Sequence, residues 1–241
     1  MTLKILLLQA RNQDDLAKDE ERQSFAHKAG LAVEQIVPHD LLSGPPSLKK
    51  MLSYDALMVG GSGDYYVSKG NLPAFSKLLE ALTDVVAHGH PTFASCFGFQ
   101  LMVKALGGEI VTDIASMEVG TYDLTLTEAG QKDELLGALP SRFSAQLGHK
   151  DKASQLPVGC VNLASSQLSR FQAIRIPDKP IWATQFHPEL SGQENQTRFL
   201  RYQRGYASVM SEREQTATSN RFRKSPETLI LIPRFLELVF G

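Results

Sequence analysis

Apolar residues fall in short blocks that alternate with charged or amphipathic stretches through the first hundred positions. Residues 3–9 are almost continuously apolar, as suits a strand covered on both faces in a parallel sheet. Residues 14–29 are charged and helical, with Leu16, Phe25 and Ala29 among their apolar positions. A second strand over 32–37 ends at Pro38, and a short helix spans 47–52. The apolar strand 56–59 stops at Gly60-Gly61-Ser62-Gly63. Residues 72–87 have the 3.6-residue apolar period of a helix, with Pro73 in the first turn. Strand 92–95 leads into helix 97–106, which Gly107-Gly108 ends. Strand–helix alternation of this kind predicts βαβ units and a parallel sheet.

After Gly108 the rhythm changes. Residues 109–112, 120–126, 143–147, 160–164, 171–176 and 181–185 read as strands separated by Gly-, Pro- and Asp-rich turns. They predict a second, more antiparallel layer. Residues 194–207 form a helix, 211–224 are polar and loose, and 226–240 form an amphipathic helix that Pro233 kinks. The expected class is therefore α/β: an open, mostly parallel central sheet flanked by helices, an added smaller antiparallel sheet and a C-terminal helical extension. The division expected is a domain over 1–205 and an extension over 206–241.

Composition narrows the function. The chain has 241 residues, with 25 Lys plus Arg against 26 Asp plus Glu. Such a balance gives no global field to draw in phosphate backbones or anionic lipid, so neither nucleic acid nor a membrane is an expected partner. Two cysteines, Cys96 and Cys160, are too few for a disulfide-stapled fold or a four-thiolate zinc site. The N-terminus lacks the pattern of a signal peptide, and no run approaches the ~20 apolar residues of a membrane span. A cytoplasmic protein with reduced thiols is expected.

The most informative segment is Pro91-Thr92-Phe93-Ala94-Ser95-Cys96-Phe97-Gly98-Phe99-Gln100. A strand ends at the cysteine and a helix starts just after it, which is the geometry of a nucleophile elbow. The elbow places Cys96 at the carboxyl edge of the sheet, where open α/β sheets bind ligands. Unpaired N–H groups and the positive end of the helix favour thiolate over thiol there. Small residues at Ala94 and Gly98 allow the tight turn. In isolation Cys96 reads equally well as a small buried hydrophobe. A second segment tips the balance: Ile181-Trp182-Ala183-Thr184-Gln185-Phe186-His187-Pro188-Glu189. A strand delivers His187 at its end, and Glu189 follows across a proline of fixed φ. Cys96, His187 and Glu189 supply a thiolate, a proton-shuttling imidazole and an acceptor to orient it. The glycines 60, 61 and 63 let a loop approach a reacting carbonyl and aim N–H groups at it.

These segments resemble the class I glutamine amidotransferases, the triad glutaminase family that includes the glutaminase portion of GMP synthetase. The matching residues are Cys96-Phe97-Gly98-Phe99-Gln100 and Gln185-Phe186-His187-Pro188-Glu189, with Gly60-Gly61, Gly107-Gly108 and Glu118-Val119-Gly120. The likeness covers roughly residues 1–205 and departs at Ala94, Ser95 and Phe99, none of which removes a triad member. It implies a flavodoxin-like fold and attack by Cys96 on a γ-glutamyl amide. It further implies that His187 moves the proton and Glu189 orients His187. The N–H groups of Gly61 and Phe97 would form the oxyanion hole, and Gly60, Gln100, Glu118, Val119 and Gly120 would hold the glutamyl end. No cofactor and no metal is implied, and the six histidines (His27, His39, His88, His90, His149, His187) are scattered.

The chain has no G-x-x-x-x-G-K-[ST] loop and no room for an ATP-dependent synthetase domain. Two enzymatic readings follow: a glutaminase passing ammonia to a separate synthase subunit, or a self-contained hydrolase or transferase of γ-glutamyl amides and peptides. A third reading is a binding module that keeps the triad without turnover. The terminal helix is too apolar for water and must pack on its own domain, on a second copy in a homo-oligomer, or on a partner.

Overall fold

The computed structural model describes residues 3–241. In chain order the elements are β1 (Ile5–Ala10), α1 (Ala17–Ala29), β2 (Ile36–Asp40), α2 (Leu48–Met51), β3 (Ala56–Ser62), α3 (Phe75–Ala87), β4 (Thr92–Ser95) and α4 (Phe97–Ala105). There follow β5 (Glu109–Thr112), β6 (Glu118–Leu126), α5 (Glu128–Gln131), β7 (Arg142–His149), β8 (Asp151–Gln155), β9 (Val161–Ser165), β10 (Ala173–Ile176) and β11 (Ile181–Thr184). The chain ends with α6 (Gly192–Arg201), α7 (Gln203–Tyr206), α8 (Glu212–Ser219) and α9 (Leu231–Phe240).

One nine-stranded sheet organises the molecule in the order β2-β1-β3-β4-β11-β10-β9-β6-β7. Strands β2, β1, β3, β4 and β11 run parallel. The remaining four continue the same sheet antiparallel. The antiparallel strands thus extend the parallel sheet edge to edge, where the sequence suggested a separate layer. Among the described residues, β5 and β8 form the small second sheet.

Because side chains alternate along a strand, β1 feeds both cores. Ile5 and Leu7 pack with Phe25 and Ala26 of α1 and with Phe235 of α9; Leu6 and Leu8 pack with Leu78 and Leu82 of α3 and Met102 of α4. Every residue of β1 is buried, which explains its apolar run; Gln9, the polar exception, donates to Glu21. The C-terminal helix completes the first core: Phe235 packs tilted against Phe93 and edge-on against Trp182, at centroid distances of 5.6 and 6.1 Å.

Several elements differ from the sequence reading. Pro38 lies inside β2 instead of ending it, because β2 is an edge strand that can lack one donor. Pro73 precedes α3, which starts at Phe75. Pro233 falls in the first turn of α9, where an N–H has no intrahelical acceptor anyway, and α9 runs unbroken. The stretch read as loose contains α8, started by a reciprocal capping box between Ser211 and Glu214. The helix expected over 194–207 breaks at Tyr202 into α6 and α7. No helix among the described residues is long and apolar enough to cross a membrane.

Candidate active site

Parallel strands bring their carboxyl ends to one edge, and four of those ends meet here. The loops after β1, β4 and β11 carry Arg11, Cys96 and His187, and the end of β3 carries Gly61, all buried. Strands β4 and β11 are neighbours with Ser95 opposite Thr184. The Cys96 N–H donates to the Thr184 carbonyl at 2.7 Å, which fixes the cysteine beside the strand that delivers the histidine.

Cys96 has φ +52° and ψ −101°. That conformation is strained for a residue with a Cβ, by about 1–3 kcal/mol, and marks a nucleophile elbow. Gly98 makes the elbow possible: a Cβ there would lie 2.5 Å from the Val59 carbonyl oxygen and 2.8 Å from Val59 Cβ. Phe97 opens α4, so its N–H has no intrahelical acceptor.

The His187 N–H donates to the Gln146 carbonyl at 2.9 Å, and its imidazole Nδ1 lies 2.6 Å from Glu189 Oε1. Burial alone would lower the imidazole. The Glu189 carboxylate and the Cys96 sulfur outweigh it and push His187 up to about 10. Glu189 is fully buried. Cys160, by contrast, is half-buried, and burial pushes its thiol up to about 11, away from the reactive thiolate.

The remaining candidates divide. Gln100 Nε2 donates to the Asp151 carbonyl at 2.9 Å and to Gln185 Oε1 at 3.2 Å; Gln185 Nε2 in turn reaches Cys96 Sγ at 3.7 Å. Gln185, which the sequence placed in a motif but gave no task, therefore touches the sulfur directly. Gln100 and Val119 line the cavity beside Cys96. Gly60 lies behind the loop, where a Cβ would meet the Glu21 carboxyl at 2.7 Å. Glu118 is buried and accepts from Gln172 Nε2 at 2.6 Å, with His149 Nε2 at 3.2 Å from the same oxygen. Gly120, at φ +121°, abuts Arg221. Gly60, Glu118 and Gly120 are thus outside the cavity lining. The Gly61 N–H, expected to face an oxyanion, donates to Glu21 Oε1 at 2.9 Å in this conformation. The glycine pair frees that peptide to turn, and here a buried carboxylate accepts its N–H.

The cavity is about 330 Å³. Besides Cys96, His187, Gln100 and Val119 it is lined by Arg11, Tyr66, Lys150, Arg198 and Tyr206. Lys150 Nζ donates to the Gly205 carbonyl at 3.0 Å and lies 4.4 Å from the Tyr206 ring centroid, so α7 roofs the cavity. Among the described residues no cluster of three His, Cys, Asp or Glu is placed to hold a metal ion.

The family model for "Glutamine amidotransferase class-I" matches residues 28–204. The chain belongs to the class I glutamine amidotransferase family. One of the subunits of the glutamine-hydrolysing GMP synthase of Methanothermobacter thermautotrophicus is 31% identical over 156 residues, covering 64% of this chain and 76% of that protein. A γ-glutamyl-L-1-hydroxyisopropylamide hydrolase from a Pseudomonas species is 32% identical over 166 residues, covering 66% of this amidotransferase and 54% of the hydrolase. The fold is shared with a Thermotoga maritima glutamine amidotransferase at TM-score 0.72 and 15% identity, over 99% of this chain and 98% of that one.

Proposed function

We propose that this amidotransferase hydrolyses a γ-glutamyl amide through a thioester on Cys96. The observation that carries the reading is the delivery of Cys96 and the Glu189-bound His187 to one cavity by the adjacent strands β4 and β11. Cys96 Sγ attacks the γ-carbonyl carbon. The oxyanion is met by the free N–H of Phe97 and, after its peptide turns, by that of Gly61. The C–N bond breaks as His187 gives its proton to the departing nitrogen. Water, deprotonated by His187, then cleaves the thioester and frees glutamate and Cys96. Glu189 holds the imidazole with Nδ1 toward itself and Nε2 toward the sulfur. Gln185 fixes the sulfur's position, and Gln100 fixes Gln185. Gln100 and Val119 border the glutamyl group. Residues 1–205 form the catalytic domain in this reading, and 206–241 an extension packed on it.

The likeness to one subunit of a GMP synthase supports glutamine as substrate, with ammonia passed to a separate synthase chain. One observation favours a second reading, a self-contained γ-glutamyl hydrolase: the chain is equally similar to a hydrolase named for a larger γ-glutamyl amide. Glutamate release by the purified protein from glutamine and from γ-glutamyl alkylamides separates them. A partner-dependent glutaminase is slow on both alone, whereas a self-contained hydrolase turns over the bulkier amides at least as fast as glutamine. Release from neither, with or without a synthase partner, would contradict both readings.

A further inference from the structure

A buried ion pair between the loop after β1 and α1, set against the end of β3, has no task in the steps above. Glu21 of α1 is fully buried, and Arg11 nearly so. Glu21 Oε1 accepts from Arg11 Nη2 at 2.7 Å and from the Gly61 N–H at 2.9 Å. Oε2 accepts from Gln9 Nε2 at 3.0 Å and from Arg11 Nε at 3.2 Å. Burial alone would raise the Glu21 carboxyl; the Arg11 guanidinium, by charge and by hydrogen bonds, outweighs it and keeps the group anionic. The second N–H assigned to the oxyanion, that of Gly61, is therefore held by a full negative charge.

A replacement donor stands ready. Arg198 Nη1, on α6, is buried without a hydrogen-bond partner and lies 4.0 Å from the same Glu21 Oε1. A buried donor lacking an acceptor is costly, so this contact gains by closing to about 3 Å. Four residues further along, the Tyr202 ring lies against the same loop, where a Cβ on Gly63 would be 2.8 Å from it. The Tyr202 hydroxyl accepts from Arg11 Nη1 at 2.7 Å and donates to Asp15 Oδ2 at 2.5 Å. Arg198 and Tyr202 thus tie the α6 segment to both the ion pair and the loop. A cleft of about 650 Å³, lined by Ser24, Lys28, Glu194, Thr197 and Arg198, leaves room between α1 and α6 for a small shift.

We propose that Glu21 is a positioning residue for the oxyanion loop. It holds the Gly61 N–H away from Cys96 in the resting protein, and Arg198 Nη1 takes over the vacated acceptor when Gly61 turns toward the sulfur. The inference rests on the thioester reading of Cys96. Glu21→Gln keeps the size of the side chain and an acceptor for Gly61 but removes the charge. It is expected to raise kcat for glutamate release about fivefold with KM within about twofold, the difference between a charge-assisted and a neutral hydrogen bond. Arg198→Gln leaves the Arg11–Glu21 pair intact, but its shorter side chain does not bring a donor to Glu21 Oε1, already 4.0 Å from Arg198 Nη1, and it is expected to lower kcat about fivefold at similar KM. A merely structural role would lower kcat in both variants together with Tm. A folded Glu21→Gln that is no faster than wild type overturns the proposal. Should Glu21→Gln fail to fold, an unchanged kcat in Arg198→Gln overturns it. Failure of the underlying reading is distinct, because it appears in the wild type as glutamate release that persists in Cys96→Ala or never occurs.

Discussion

Gly98→Ala offers a sharp test of how the elbow is built. The new Cβ would lie 2.5 Å from the Val59 carbonyl oxygen. A comfortable carbon–oxygen approach is about 3.3 Å, so α4 and β3 must part by about 0.8 Å. Overpacking of this kind costs about 1–3 kcal/mol. The better helix propensity of Ala offsets about 1 kcal/mol of it. The net loss of about 1 kcal/mol corresponds to 2–4 °C in Tm for a protein of this size. Catalysis should suffer far more. Parting α4 from β3 moves the Phe97 N–H and the Cys96 sulfur relative to His187, and a misplacement near 1 Å costs about 100-fold. Thermal melting by circular dichroism and a glutamate-release assay on the same preparation read the two effects. A variant with wild-type kcat would show that the elbow does not depend on the close Gly98–Val59 approach, as would one whose activity falls only in proportion to its folded fraction.

Other outcomes follow from the same geometry. His187 has its folded-state pKa raised to about 10, so the stabilisation from its charged form is complete below about pH 6.5 and is lost as pH rises through about 10. NMR of the His187 ring should therefore show no titration between pH 5 and 8; a midpoint near 6.5 would contradict the pairing. Leu231, Ile232, Phe235 and Leu236 of α9 are buried in the core. At about 1.5–3 kcal/mol each their loss removes roughly 6–12 kcal/mol. That rivals the entire net stability of about 5–15 kcal/mol, so a chain ending at residue 225 should not fold. A cooperative melt near the wild-type Tm would show that the core does without α9. Glu189→Gln should lower kcat by about 10⁴, in line with loss of the orienting carboxylate in other triads, with KM little changed. Retained turnover would remove Glu189 from the mechanism.

The sequence exposed the parallel half because its strands are buried on both faces and must be apolar. Residues 92–95 and Cys96 were legible for that reason, and His187 and Glu189 because a proline sits between them at a strand end. Arg11 and Glu21 were not. Ten positions apart in a charged stretch, they look like a solvated surface, and only the fold shows that the charges neutralise each other in the interior. The break at Tyr202 had no local signal, since its cause is the packing of that ring on Gly63 and its hydroxyl on Arg11. The helix α8 was readable in principle from Ser211 and Glu214 three positions apart, but its low apolar content hid it. Strand β8 escaped because Asp151, Lys152 and Ser154 carry polar side chains, with Asp151 buried against Ser68 and Thr112 instead of an apolar core.

In the proposed mechanism a γ-glutamyl group passes through the Cys96 sulfur. Acid-quenched mixtures of the protein with glutamine or a γ-glutamyl alkylamide, digested and analysed by mass spectrometry, test it most directly. A glutamyl adduct is expected on the Cys96 peptide, absent in Cys96→Ala, whose glutamate release also disappears. Steady glutamate release from Cys96→Ala, or an adduct on Cys160 instead, would contradict it.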